Sequence, residues 1–170
     1  MYNKRSVQLK KYLPVKYNGT QQYTVVSAVY NVEKYLNDYF SSLTKQSLNF
    51  KKHIQLILVD DGSTDRSAEI IKQWQAKFPK NIHYFYKENG GQASARNLGL
   101  QYTQTEWVVF TDPDDYLHPD YFKSVDTQIS HHPSAVTVAT NIKFFFEILL
   151  LSKCHRIVIF CPIELRKKGG

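Results

Sequence analysis

Three carboxylates that lie close together, Asp112, Asp114 and Asp115, are the residues of this chain best suited to chemistry. They follow the run Trp107–Thr111, whose β-branched and aromatic residues are typical of a strand buried on both faces. Carboxylates at this spacing repel one another, and at pH 7 they need a cation or solvent between them. Such hard oxygen ligands suit Mn²⁺ or Mg²⁺ held together with a substrate's phosphates. The alternative is an acidic turn before the helix that Pro119 opens, and these residues alone do not decide between the two.

A second acidic turn, Asp60-Asp61, follows the apolar run Ile54–Val59. In an open parallel sheet the carboxyl ends of the strands share one edge, where ligands bind, so the two acidic turns are expected to converge on one ligand. Asp61 could accept a hydrogen bond from a base N–H, which a uracil ring offers. Asp112 could accept one from ribose hydroxyls, while Asp114 faces the metal.

Glycines and one arginine complete this pattern. Gly62, Gly90 and Gly91 permit close backbone approach, and Arg96 near the start of a helix offers positive charge to a pyrophosphate. An ordinary turn at Gly62 and a surface ion pair at Arg96 are the alternatives for each feature taken singly. Together with the carboxylates, they favour a nucleotide diphosphate bridged by a divalent cation.

The elements that must position these residues alternate between strands and helices. Helices of about ten residues separate the strands, which indicates βαβ units and a mainly parallel sheet with right-handed crossovers. Asn31 is expected to cap the first helix, whose apolar positions include Tyr35 and Leu36. The predicted strands are Tyr23–Val29, Ile54–Val59, Ile82–Tyr86 and Trp107–Thr111; the predicted helices follow Asn31, follow Asp65 as far as Pro79, span Ala93–Tyr102, and run from Pro119 to about His131.

Four segments in this order carry a resemblance to a known family. They read VVSAVYNVEKYL, LILVDDGSTDRSAEII, KENGGQASARNLGL and WVVFTDPDDYLHPDYF, and they cover about residues 23–125. The chain resembles family-2 glycosyltransferases of the GT-A fold, of the bacterial surface-polysaccharide type. The resemblance implies an α/β, Rossmann-like sheet with helices on both faces, a nucleotide-sugar donor that is usually a UDP-sugar, and a divalent metal.

The resemblance also implies roles for individual residues. Asp112-Pro113-Asp114 would be the DxD motif, and Arg96 in the ARN segment is the weakest of the transfers because there it can be structural. Carried over by position, the nucleotide pocket would be lined by Ala28 and Tyr30, with Glu33 beside it, Asp61 at the base, Asp112 toward ribose, Asp114 on the metal, Asp115 as an additional acid and Arg96 near the diphosphate.

Charge and composition limit the possible partners. Residues 1–22 carry five basic groups and no acid, residues 148–170 carry five basic groups and one acid, and the middle of the chain is slightly acidic. A nucleic-acid-binding domain should carry its basicity on the folded body, so no nucleic-acid partner is expected. Basic ends are typical of solvated tails, and contact with anionic lipid headgroups is the alternative. With two cysteines, nothing argues for an oxidising compartment.

The carboxyl-terminal part departs from the family pattern. We expect residues 1–22 to be a basic extension, residues 23–147 to form the nucleotide-sugar domain, and residues 148–170 to be an atypical tail. A truncated or shifted reading frame would explain this tail, and a natural short variant is the alternative. Charges interrupt this tail too often for a membrane span, and Cys154, His155 and Cys161 do not match a zinc pattern. The general base of an inverting transferase cannot be assigned, so the fold is expected to be incomplete at this end and the chain inactive in transfer.

The sequence therefore predicts the nucleotide-sugar domain of a cytoplasmic glycosyltransferase. The parent reaction would move a sugar from a nucleotide-diphosphate sugar to a saccharide acceptor in surface polysaccharide synthesis. Peripheral contact with the inner membrane is left open. One alternative is a nucleotide-sugar-binding module without catalysis, since no base is assigned. Another is a sugar-phosphate nucleotidyltransferase, although that class needs a Gly-rich, Arg- and Lys-bearing loop after the first strand, which residues 28–32 lack.

Overall fold

A computed structural model of the protein describes residues 22–132. Apart from one additional short helix before the second strand, the described chain alternates strands with helices in the order that the sequence predicts. The elements are β1 (Tyr23–Val29), α1 (Glu33–Thr44), α2 (Phe50–His53), β2 (Ile54–Asp60), α3 (Ser67–Lys77), β3 (Ile82–Tyr86), α4 (Gln92–Gln101), β4 (Trp107–Phe110) and α5 (Tyr121–His131).

The four described strands form one parallel sheet in the order β3-β2-β1-β4. The strand order reverses direction at β1, because β2 and β3 extend the sheet on one side of it and β4 on the other. Polar ligands of open α/β sheets bind at such a switch point, outside the carboxyl ends of the strands. In this chain the switch point lies between the ends of β1 and β4, where Tyr30 and the acidic turn 111–115 follow the strands.

Helices cover both faces of the sheet. Alternate residues of β1 point to opposite faces, so Val25 and Val29 join the larger core with α1, α2, α3 and α5, while Val26 joins a smaller core beneath α4. The approach of α4 is close: a Cβ on Gly99 would lie 2.5 Å from a methyl carbon of Val26. The predicted α/β architecture, with a parallel sheet covered on both faces, is confirmed for the described residues.

Several local expectations were wrong. The short helix α2 was not expected, because four residues carry no period. Asn31 does not cap α1: its backbone is left-handed (φ 52°), and its side chain accepts instead from the Thr64 amide at 2.8 Å. Tyr35 is half exposed, outside the core face of α1. Strand β4 is only partly buried, since it is the last strand of the described sheet.

Within residues 22–132, every helix is too short or too polar to cross a membrane. Residues 1–21 of the expected basic extension, residues 133–147 of the expected nucleotide-sugar domain and the whole of the expected tail at 148–170 lie outside the described residues. So do Cys154, His155 and Cys161.

Candidate donor-binding site

A cavity of about 370 Å³ opens at the carboxyl edge of the sheet. Its volume lies in the range of small-molecule sites, and its position is the switch point between β1 and β4. Residues from the ends of β1, β2 and β4 and from the start of α4 line it together: Ala28, Val29, Tyr30, Val32, Asp61, Asn89, Gly91, Gln92, Asp112, Pro113 and Asp114. The structure thus brings together five of the eight predicted site residues, and Glu33, Arg96 and Asp115 are not in its lining.

Asp61 is the buried anion of this cavity, with only 3% of its surface exposed. Its carboxylate accepts hydrogen bonds from the backbone amides of Gly90 at 3.0 Å and Gly91 at 2.7 Å, and from the ammonium group of Lys87. Burial alone would raise the pKa of Asp61, but the hydrogen bonds from Lys87, Gly90 and Gly91 outweigh it and lower that pKa. A carboxylate has about four acceptor positions, so three donors leave room for a further N–H from a ligand.

Asp112 is held by two side chains of α4. Its Oδ1 accepts from the Arg96 guanidinium at 2.6 Å and from the Gln92 amide at 3.0 Å. Arg96 also lies over the Phe110 ring, with its guanidinium carbon 5.7 Å from the centroid. An ion pair was the alternative role for Arg96, and the structure contains that pair. Its partner is Asp112, the first aspartate of the acidic turn. The second oxygen of Asp112 remains available for a ligand hydroxyl.

Asp114 lines the same cavity as Asp61 and belongs to the turn that follows β4. Asp115 folds back in the same turn, and its amide donates to the Asp112 carbonyl at 3.0 Å. The part of the chain that the structure describes contains no preformed cluster of three or more metal-ligating side chains. Mg²⁺ and similar ions are often held by one or two carboxylates with substrate phosphates, so Asp114 with Asp112 nearby fits an ion that arrives with a diphosphate.

Glu33 joins two loops at the rim instead of entering the cavity. Its carboxylate accepts from the Arg66 amide at 2.8 Å, and its own amide donates to the Asp65 carboxylate at 3.0 Å. Asp65 also accepts from the Ser67 amide at 2.9 Å. These reciprocal bonds satisfy free N–H groups at the starts of α1 and α3, as a capping box does within one helix.

Sequence reasoning missed several residues of the site. Asn89 and Gln92 line the cavity, and Lys87 pairs with Asp61. The glycine pair between Asn89 and Gln92 could have indicated both residues. A turn whose backbone approaches a ligand also brings the residues on either side of it close to that ligand. The Lys87–Asp61 pair had no local signal, because 26 residues separate its members.

The chain as a whole matches a known protein family. Residues 24–169 match the family model described as glycosyl transferase family 2. The chain belongs to glycosyl transferase family 2. The predicted family is therefore confirmed, and this membership speaks against the sugar-phosphate nucleotidyltransferase.

Two similar proteins have names that refer to teichoic acid biosynthesis and to poly(ribitol-phosphate). The chain is 39% identical over 125 residues to the minor teichoic acid biosynthesis protein GgaB of Bacillus subtilis, covering 74% of this chain and 14% of GgaB. It is 31% identical over 115 residues to the poly(ribitol-phosphate) beta-N-acetylglucosaminyltransferase TarS of Staphylococcus aureus, covering 68% of this chain and 20% of TarS. The chain thus spans a fifth or less of the length of these two relatives.

Solved structures agree with the fold. A crystal structure of S. aureus TarS residues 1–349 in complex with UDP-GlcNAc aligns with a TM-score of 0.62 and 31% identity, covering 66% of this chain and 32% of that one. The mannosyltransferase PcManGT of Pyrobaculum calidifontis, in complex with GDP-Man and Mn²⁺, aligns with a TM-score of 0.62 at 21% identity. The second likeness concerns the fold alone. The predicted GT-A fold is confirmed by these neighbours.

Proposed function

We propose that this protein transfers a sugar from a nucleotide-diphosphate sugar, a UDP-sugar in the first instance, to a hydroxyl of a saccharide acceptor in surface polymer synthesis. The observation that carries the proposal is the convergence of Asp61, Asp112 and Asp114 on one cavity in a family-2 chain. The solved TarS complex with UDP-GlcNAc supports a UDP-sugar donor. The names of GgaB and TarS support an acceptor of the teichoic acid class.

Each side of the cavity is suited to a different part of the donor. The free acceptor position of Asp61 suits the N–H of a uracil ring, and the exposed ring of Tyr30, which lines the same cavity, suits the base's flat face. Asp112 suits ribose hydroxyls. Helix α4 begins at Gln92 in the cavity wall, so its positive end favours the diphosphate.

Mn²⁺ or Mg²⁺ would be held by Asp114, with Asp112 near it and Asp115 in the same turn. Bound there, the cation would neutralise charge on the diphosphate leaving group. The chain's own part is to orient the donor by its base and ribose, and to keep the two carboxylates of the turn fixed beside the phosphates. Arg96 holds Asp112 from the far side and in this way supports the turn.

Calorimetry with UDP tests the donor site. UDP should bind with Mn²⁺ present and much more weakly in EDTA. Asp114→Ala should weaken UDP binding in Mn²⁺ by about 100-fold. Removing a residue that only supports a metal ligand costs about 10–100-fold, so the loss of a direct ligand should reach the upper end of that range. The matched control is Asp120→Ala, which removes an exposed carboxylate that makes no side-chain cap bond at the start of α5. Equal affinity with and without metal would contradict the proposal.

Transfer itself is tested with a radiolabelled UDP-sugar and a panel of saccharide and polyol-phosphate acceptors. Label in the polymer supports the transferase. Metal-dependent UDP binding with no transfer to any acceptor would favour the alternative that the chain is a donor-binding module.

We also propose that this enzyme is cytoplasmic and contacts anionic lipid at the membrane face. Lys51, Lys52, Lys77 and Lys80 lie at the amino edge of the sheet, where α2 leads into β2 and α3 leads towards β3, and all four are exposed. No acidic residue occurs between Asp38 and Asp60 or between Glu69 and Glu88. This edge is opposite the cavity, so a membrane there would leave the donor site open.

A further inference from the structure

Three hydroxyl groups meet beneath the acidic turn, and none of them belongs to the lining of the donor cavity. The Tyr39 hydroxyl lies 2.5 Å from that of Ser27 and 2.6 Å from that of Thr111, and the Ser27 and Thr111 hydroxyls lie 2.9 Å apart. Tyr39 and Ser27 are fully buried. Each member comes from a different element: Ser27 from β1, Tyr39 from α1 and Thr111 from the residue that follows β4.

The strand register explains why these groups meet. Val26 of β1 pairs with Phe110 of β4, so Ser27 lies beside Thr111 one residue further on. Trp107 and Val109 face the larger core, and the alternation of an extended chain puts Thr111 on the same side. Helix α1 covers that face and supplies Tyr39. The Thr111 amide continues the ladder by donating to the Val26 carbonyl at 3.3 Å.

Three hydroxyls arranged in this way satisfy one another. Each has one donor, so a closed ring in which each donates to the next leaves no buried O–H unpaired. Burial raises the pKa of Tyr39 to about 12, with smaller opposing contributions from its bonds to Ser27 and Thr111, so its proton is present at neutral pH. A closed and neutral ring of this kind is rigid, and opening it leaves an unsatisfied group in a dry environment.

We propose that the Tyr39, Ser27 and Thr111 hydroxyls form a positioning element that fixes the turn 112–115 so that its carboxylates meet the donor's diphosphate and cation. Thr111 immediately precedes Asp112, so the ring fixes the chain at the point where β4 ends and the turn begins. Arg96 and Gln92 hold Asp112 from α4 on the other face of the sheet. The turn is thereby held from both faces. The inference rests on the proposed donor site.

A ring that served stability alone would behave differently from a positioning element. Its loss would lower the midpoint of urea unfolding and leave UDP affinity unchanged at temperatures where the variant is folded. Loss of positioning should instead reduce the gain in UDP affinity that Mn²⁺ provides. It should also speed the exchange of the Asp112, Asp114 and Asp115 amide hydrogens in the ligand-free protein.

The test compares Tyr39→Phe with wild type by UDP calorimetry in Mn²⁺ and in EDTA, and by hydrogen exchange. We expect the Kd in Mn²⁺ to rise about tenfold, at the low end of the effect of outer-shell partners on metal sites, with the Kd in EDTA unchanged. Thr111→Val should behave like Tyr39→Phe, while Thr111→Ser, which keeps the hydroxyl, should retain the wild-type Kd.

Tyr23→Phe is the matched control. Tyr23 is a buried tyrosine at the opposite end of β1, and its hydroxyl donates to Asp126 at 2.9 Å. It should lose stability with no change in the Mn²⁺-dependent gain. If wild type binds UDP in a metal-dependent way and Tyr39→Phe and Thr111→Val keep that gain, the positioning role is overturned. If wild type itself fails to bind UDP, the proposed donor site falls, and the positioning role with it.

Discussion

At the scale of single residues, the carboxylates of this chain divide by what already holds them. Asp61 receives three hydrogen bonds from the loop 87–91, and Asp112 receives two from α4. Glu33 is committed to the Arg66 amide. A carboxylate therefore stabilises a loop, is positioned for a ligand or stabilises the start of a helix, and its hydrogen-bond partners distinguish these roles.

Asp61→Asn should destabilise the protein by about 3 kcal/mol at pH 7, because it leaves the Lys87 ammonium without its anion in a poorly exposed place. An asparagine amide also cannot accept at both former oxygens, so one of the two glycine amides loses its acceptor. Urea unfolding measures the loss. Lys87→Met, which keeps the carboxylate and both amide bonds, should cost less than Asp61→Asn.

The same variant has a defined pH dependence. Because the pKa of Asp61 is lowered in the folded state, its contribution is fully present above the unfolded value of 3.8 and is lost as pH falls through the lower folded value. The difference between wild type and Asp61→Asn should thus be equal at pH 7 and pH 5 and shrink below pH 3.8. A difference that already shrinks between pH 7 and pH 5 would mean that another group is titrating.

The sequence alone was sufficient to predict that Asp61, Asp112 and Asp114 lie at one edge of the sheet. Each of them follows a strand, and the carboxyl ends of parallel strands lie at the same edge. It was not sufficient for Glu33 or Arg96. Glu33 pairs across 33 residues with a loop, and Arg96 faces Asp112 only because α4 packs at one angle against the sheet. Such contacts depend on tertiary geometry, for which a single sequence carries no local signal. The roles of all these residues toward a donor remain predictions.

At the scale of elements, strongly periodic segments were predictable and irregular ones were not. Strands β1 and β3 begin and end where their apolar runs do, whereas α2 has too few residues to show a period. The left-handed backbone at Asn31 redirects its side chain to the loop 63–65. Asn31 bridges two loops instead of capping α1 because of its positive backbone angle φ. Residue type gives only a weak preference for that angle.

Gly99→Ala tests the close packing of α4 on the sheet. Alanine is favoured over glycine inside a helix by about 1 kcal/mol. The new methyl, however, would lie 2.5 Å from Val26 and 3.4 Å from Val59, which forces the helix away from the sheet. Overpacking of this kind typically costs about 1–3 kcal/mol, so we expect a net loss in urea unfolding. Asn97→Ala, at an exposed position of the same helix, should be neutral or slightly stabilising.

At the scale of the whole molecule, charge of opposite sign collects at the two edges of the sheet. The carboxyl edge carries the acidic turns after β2 and β4, and the amino edge beside β2 and β3 carries the four lysines named above. Lysines at helix carboxyl ends also complement the helix dipole, which is the structural explanation for part of this pattern. Two of these lysines also contact aromatic rings: Lys51 lies over the ring of Phe78, and Lys77 lies over that of Trp74. Both therefore lie on one aromatic surface.

If this amino edge contacts anionic lipid, removing two of its charges should weaken that contact specifically. Near a membrane surface each lysine contributes about 1 kcal/mol, so Lys51→Gln with Lys52→Gln should lower partitioning onto phosphatidylglycerol vesicles about 30-fold. Co-sedimentation measures the partitioning, with neutral phosphatidylcholine vesicles giving the background. The control pair Lys34→Gln with Lys123→Gln removes the same charge from exposed positions on α1 and α5, outside the edge. Because the attraction is electrostatic, binding should also fall as salt rises. An equal loss in both pairs would show that net charge governs binding and that the amino edge has no special part in it.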